Sequence, residues 1–70
     1  MNLHLLTDRE ADGRWLAEIS ELPGVLTYGS SRNQAVTAAK VLALRVLADR
    51  LDAGELAADF DRLHFTAPAL

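Results

Sequence analysis

The stretch at residues 31–54 decides the fold, and it reads SRNQAVTAAKVLALRVLADRLDAG. No Gly or Pro interrupts it between Ser31 and the final Gly54, so it predicts one helix over residues 32–53. Ser31 is a favourable N-cap, and Gln34 three residues later completes a capping-box pattern. Gly54 occupies the position at which a glycine commonly ends a helix. A helix of this length, roughly 33 Å at 1.5 Å per residue, can cross a small sheet completely.

The segments on both sides of this helix predict four strands. Residues 14–20 alternate, with Trp15, Ala17 and Ile19 on one side, and this period of two is typical of a half-buried strand. The other strands are predicted from short apolar or alternating runs at residues 3–7, 25–28 and 62–66. Turn signals at Asp12-Gly13 and Leu22-Pro23-Gly24 separate the first three strands.

The element order is therefore β-β-β-α-β, which predicts an α+β fold in a single domain over residues 1–70. Three strands joined by short turns form an antiparallel meander. Because a helix then carries the chain back across the sheet, we expect the fourth strand to lie parallel to the first. The helix covers one face of this sheet, and no element of the predicted fold covers the other.

Composition and charge exclude several classes of function. The 70 residues include no Cys, which excludes disulfides, thiolate zinc sites and thiol nucleophiles. Ten acidic residues against seven basic ones give a net charge of -3, so we expect no direct nucleic-acid binding and a better fit to a basic protein partner. Charged residues interrupt every long apolar run, and the N-terminus lacks a signal-peptide pattern. The expectation is a cytoplasmic protein that does not bind membranes.

The predicted helix is apolar on two opposite faces. One stripe is expected to pack on the sheet, and it consists of Ala35, Val36, Ala39, Leu42, Ala43 and Val46. The opposite row follows alternating steps of four and three residues, the spacing of a helix–helix contact, and it consists of Thr37, Val41, Leu44, Ala48 and Leu51. A homodimer or higher homo-oligomer with paired helices would cover this row. The alternative is scattered exposed apolar residues, which are common on protein surfaces.

The uncovered face of the sheet is a second candidate docking surface. Leu16, with Leu26 or Tyr28 nearby, would add apolar area there, and Glu18 lies on the same side of its strand. The alternative is a mixed, solvated outer face, which Arg14 and Glu18 favour.

No pattern of residues predicts a catalytic or metal site. His4 and His64 lie on the first and last predicted strands and could approach each other, but no third ligand stands at a metal-binding spacing. Two ordinary strand histidines are the expectation. The carboxylates form no acid–base pair; they crowd the first turn or flank an aromatic residue in the last connector, at Asp8, Glu10, Asp12, Asp59 and Asp61. We therefore expect no enzyme activity and no cofactor.

Three motifs, in this order, resemble the HicB family. They are DGRWLAEI at residues 12–19, ELPGV at residues 21–25, and GSS followed by QA at residues 29–31 and 34–35. Family members typically show a DG-aromatic-x-A-E strand, a P-x-LPG turn and a G-x-T-x-x-EA helix start. Two departures are Ser20, where the family usually has proline, and Gln34, where it usually has glutamate.

The resemblance implies an antitoxin domain with a partial RNase H-like β-β-β-α-β fold. Such domains belong to HicA–HicB toxin–antitoxin pairs and bind a small basic mRNA-cleaving toxin, whose RNA surface they block. Many members also carry a C-terminal DNA-binding segment, and we expect none here because the sequence ends at Leu70 without one. The alternative is a HicB-like homo-oligomer that binds another protein or a small ligand.

Overall fold

A computed structural model describes residues 1–55 and 62–67 of the chain. Its elements are β1 (Asn2–Arg9), β2 (Trp15–Ile19), β3 (Leu26–Gly29), α1 (Arg32–Asp52) and β4 (His64–Thr66). The four strands form one sheet in the order β3-β2-β1-β4. The predicted α+β fold is confirmed: β1 and β3 pair antiparallel with β2, and β4 pairs parallel with β1.

The strand boundaries differ from the predicted ones by a few residues. β1 continues beyond the predicted residues 3–7, because its ladder with β2 extends to the pair Arg9 and Trp15. β3 begins one residue later than predicted, since the backbone N–H of Val25 donates to the Leu22 carbonyl at 3.0 Å and closes the preceding turn. β4 is three residues long, so the first two predicted positions precede it.

The N-terminus of α1 is capped by the residues that the sequence indicates, with one change. Ser31 Oγ accepts a hydrogen bond from the Gln34 backbone N–H at 3.1 Å, which makes Ser31 the N-cap. The Gln34 side-chain oxygen accepts from the backbone N–H of Ser30 at 3.1 Å. The return bond of a capping box goes to the N-cap itself. Here it reaches one residue earlier, so the predicted capping box is only partly correct.

The C-terminus of α1 closes in a Schellman motif. Gly54 has a φ of 71°, a left-handed conformation that side-chain-bearing residues rarely adopt. Its backbone N–H donates to the Leu51 carbonyl at 3.1 Å, and the Glu55 N–H donates to the Arg50 carbonyl at 2.9 Å. The predicted role of Gly54 is confirmed.

The core lies between α1 and the face of the sheet that it covers. Alternate residues of β1 and β2 point into it, and in β2 this confirms the period-two pattern of the sequence. The turn before β3 adds two further apolar side chains. The buried residues are Leu3, Leu5, Ala17, Ile19, Leu22, Val25, Ala35, Ala39, Ala43 and Leu47.

The buried row of α1 differs from the predicted stripe at its C-terminal end. Leu47 is fully buried although the predicted stripe omits it. Three members of that stripe are only half-buried, namely Val36, Leu42 and Val46. The fully buried positions advance four residues at a time, and such a row is inclined to the helix axis. The buried face therefore moves to Leu47 in the last turns of the helix.

Gly29 allows β3 and α1 to approach each other closely. A Cβ atom at this position would lie 2.5 Å from the backbone nitrogen of Ala35 and 2.9 Å from Gln34 Cβ. Both contacts are too short for a real side chain, so only glycine fits without a shift of the helix. Thr27 Oγ1 joins the same two elements by donating to the Ala35 carbonyl at 2.8 Å.

We expect Leu47→Ala to lower the free energy of unfolding by about 2–5 kcal/mol, because the fully buried side chain would leave a cavity. Leu44→Ala is the matched control, since it makes the same change on the same helix at a residue that is 46% exposed. Leu44→Ala should lower the free energy of unfolding by less than about 1 kcal/mol. Urea denaturation followed by circular dichroism measures both values. Equal losses would contradict the assigned core.

Candidate functional site

Two apolar surfaces remain exposed on the described part of the chain. We call the first the helix seam, which consists of Thr37, Val41, Leu44, Ala48 and Leu51 of α1. We call the second the open face, which is the side of the sheet opposite α1. Both were expected from the sequence as places where a partner could dock.

The helix seam is exposed along its whole length. Val41, Leu44 and Leu51 are 43%, 46% and 52% exposed, and Thr37 and Ala48 are exposed as well. The seam extends over roughly 21 Å at 1.5 Å per residue. None of its five residues is charged. It is therefore a narrow, uncharged apolar strip on the side of α1 that faces away from the sheet.

The register of the sheet places apolar and acidic side chains in two rows on the open face. Leu6, Glu18 and Leu26 stand opposite one another on β1, β2 and β3. Asp8, Leu16 and Tyr28 form the neighbouring row. Leu6, Leu26 and Tyr28 are 43%, 44% and 46% exposed. The open face is therefore an apolar patch that contains two carboxylates.

Glu18 lies inside this patch. It is half-buried, and two leucines flank it on the neighbouring strands. Its carboxylate makes no hydrogen bond and no ion pair within residues 1–55 and 62–67. The register thus places an unpaired carboxylate between two exposed leucines.

The arginine at the edge of the open face is already engaged. Arg14 Nε donates to Asp12 Oδ2 at 2.8 Å, and its guanidinium carbon lies 4.6 Å from the centre of the Tyr28 ring. The Arg14 backbone N–H also donates to Asp12 Oδ1 at 3.0 Å. These bonds, the backbone one first, lower the pKa of the Asp12 carboxyl. The Asp12–Gly13 turn thus holds Arg14 over Tyr28.

His4 is bound to Glu21, a contact that the sequence does not indicate. The His4 backbone N–H donates to Glu21 Oε1 at 2.7 Å, and His4 Nδ1 lies 2.5 Å from Glu21 Oε2. These hydrogen bonds, the backbone one first, lower the pKa of Glu21 to about 2. The hydrogen bonds between His4 and Glu21 therefore connect the turn after β2 to β1.

The two histidines lie on neighbouring strands, as expected, but the register does not pair them. His64 stands opposite Asn2, and His4 stands opposite Thr66. Among the described residues, no group of three or more His, Cys, Asp or Glu side chains is placed to hold a metal ion. The carboxylates of Asp59 and Asp61 lie outside those residues.

A depression on the surface of α1 does not provide an enclosed ligand site either. It lies beside the N-terminal end of the helix seam and is lined by Asn33, Gln34, Thr37 and Ala38. All four side chains come from one helix, so the depression is shallow and open to solvent. Within residues 1–55 and 62–67, the candidate binding surfaces are therefore the helix seam and the open face.

Comparison with family models, with curated proteins and with solved structures finds no match to this chain. The resemblance to HicB therefore rests on the motifs at residues 12–35 and on the order of the elements. As for membranes, no helix within residues 1–55 and 62–67 has the length and hydropathy needed to cross one.

We expect Glu21→Gln to remove a pH-dependent part of the stability. The folded-state pKa of Glu21, about 2, is below the ordinary value of 4.5, so the pair stabilises the fold above about pH 4.5. That contribution is lost as the pH falls from about 4.5 to about 2. The free-energy difference between wild type and Glu21→Gln, measured by urea denaturation, should therefore shrink over this interval.

The control for this test is Glu55→Gln, at an exposed glutamate whose side chain has no partner among the described residues. A difference between wild type and Glu21→Gln that stayed constant from pH 7 to pH 2 would show that the pair does not form in solution.

Proposed function

We propose that this protein is a non-catalytic binding module of the HicB type, which neutralises a small basic mRNA-cleaving protein of the HicA type. It would act by covering the surface through which that protein binds RNA. The observation that carries this proposal is the sheet order β3-β2-β1-β4 with β1 parallel to β4, which is the layout that the resemblance implies. Within that layout the motif residues occupy β2, the turns before and after it, the end of β3 and the first turn of α1.

The charge of the chain supports this mode of action. An RNA-cleaving protein needs a basic surface to bind phosphates. A chain with a net charge of -3 is attracted to such a surface and competes with RNA for it. Inhibition by covering a surface needs no catalytic group in the inhibitor. Because mRNA is a cytoplasmic substrate, the proposal also places this protein in the cytoplasm.

The helix seam supports a second candidate function, that of a homo-oligomer that binds another protein or a small ligand. An exposed row with alternating steps of three and four residues can pair with the same row of a second copy. A two-fold axis would bring identical surfaces together and cover both. The two candidates are compatible, since pairing through α1 leaves the open face accessible.

Growth of cells tests the antitoxin function. We expect the protein encoded by the adjacent reading frame to be small, basic and toxic when expressed alone, and co-expression of this chain to restore growth. The two proteins should also co-purify. Leu47→Asp is the control for an unfolded chain, since it places a charge in the core, and it should not restore growth. Toxicity that persists with wild-type chain present would contradict the proposal.

A variant of the helix seam tests the oligomer. We expect wild type to sediment as a dimer or larger assembly and Leu44→Asp to sediment as a monomer, because a charge would be buried between the paired helices. Leu6→Asp is the matched control, since Leu6 is 43% exposed but lies on the open face. It should leave the assembly unchanged. A monomeric wild type, or an assembly unaffected by Leu44→Asp, would exclude the seam as the contact.

A further inference from the structure

We propose that the open face binds an arginine or lysine side chain of a basic protein partner, with Glu18 as its counter-ion and Leu6, Leu16 and Leu26 as the apolar rim. This names the surface and the chemistry by which the proposed function would operate, and to that extent it rests on that function. The arrangement of side chains on the face supports it independently.

Glu18 lies among apolar side chains on the open face. Leu6 and Leu26 stand directly opposite it on the two flanking strands, and Leu16 precedes it by two residues on the same side of β2. Side chains placed directly opposite have Cβ atoms about 4.5–5.5 Å apart. Three leucines thus flank the half-buried Glu18, and its carboxylate has no hydrogen-bond or ion-pair partner in the described part of the chain. An incoming cation would supply the missing partner.

Asp8 provides a second carboxylate within reach of the same cation. It stands opposite Leu16 and is therefore diagonal to Glu18, a relation that places Cβ atoms at most about 7–8 Å apart. One Asp8 oxygen accepts from the Arg9 backbone N–H at 2.8 Å. The other has no such partner among the described residues. A guanidinium group has five donors in a planar fork, so it can contact both carboxylates.

The cations of the chain itself do not satisfy Glu18. Arg14 lies on the same side of β2 but is held by Asp12 and by the ring of Tyr28. Arg9 stands opposite Trp15, whose side of β2 is the one covered by α1. Within the described residues, the open face therefore offers two carboxylates for an external cation.

The same charges disfavour a second copy as the occupant. Two open faces packed together would place Glu18 and Asp8 of both copies in one interface, and like charges across an interface are costly. Arg14 at the edge of the face is already held by Asp12 and by the Tyr28 ring. The uncharged helix seam does not have this disadvantage. We therefore assign the open face to a basic partner and the seam to contacts between copies.

A selection experiment identifies what the open face prefers. Wild-type protein is used to select binders from a library of random peptides displayed on phage, and the binders are counter-selected against Leu26→Asp. The enriched peptides should carry Arg or Lys flanked by apolar residues. Added to isotope-labelled wild type, they should shift the NMR methyl signals of Leu6, Leu16 and Leu26 and leave those of Leu44 and Leu51 unchanged.

Charge variants of Glu18 then test the counter-ion. We expect Glu18→Gln to bind the selected peptides about tenfold more weakly than wild type does. Glu18→Lys should no longer bind these peptides. It should instead bind matching peptides in which Glu replaces Arg. Glu55→Gln is the control and should bind as wild type does. Unchanged thermal unfolding shows that each variant is folded, and Asp8→Asn provides a second variant with the same expected direction of effect.

Three results would overturn the inference. They are enriched peptides without a cation, methyl shifts confined to the helix seam, and wild-type affinity in Glu18→Gln.

Co-expression separates this inference from the proposed function. If Glu18→Lys restores growth as well as wild type does, the function stands and the inference fails. If wild type does not restore growth but binds cationic peptides on the open face, the function fails and the inference stands.

Discussion

The close packing of α1 on one face of the sheet is the contact on which the rest of the structure depends. The chain has no cysteine, so this single core must hold the fold without a disulfide. The helix contributes mainly alanines to the contact, at Ala35, Ala39 and Ala43, and the strands contribute the larger side chains. Small residues on α1 let the two elements approach, and Gly29 permits the closest point of that approach. Larger residues there would separate the helix from the sheet.

Within residues 1–55 and 62–67, one helix packs on the sheet and two surfaces stay uncovered, and the chemistry of these surfaces differs. The helix seam carries no charge, and its spacing suits an identical helix. The open face combines three leucines and a tyrosine with the carboxylates of Glu18 and Asp8, with Arg14 at its edge, so the partner that we propose for it has to supply a complementary charge as well as apolar area. Because they lie on opposite sides of the molecule, the two surfaces can be occupied at the same time.

Local signals in the sequence were sufficient to predict the fold. They did not predict the contacts between residues that are far apart along the chain. The alternation in β2, the N-cap at Ser31 and the glycine at 54 each involve neighbouring residues, and each prediction is confirmed. Leu6 was missed because it follows Leu5, and two adjacent leucines do not show which of them points inwards. The His4–Glu21 pair joins residues 17 positions apart, so it depends on a register that no local pattern specifies. Leu47 was missed because the buried row is inclined to the helix axis.

The motif at residues 12–19 serves the core and the open face through alternate positions of one strand. Ala17 and Ile19 point inwards and are buried, whereas Leu16 and Glu18 point to the open face. A resemblance in the inward positions therefore reports on packing, and a resemblance in the outward positions reports on what the face can bind. It follows that two chains could share the inward half of this motif, adopt the same fold and bind different partners. The outward pair is the part of the motif from which a partner can be inferred.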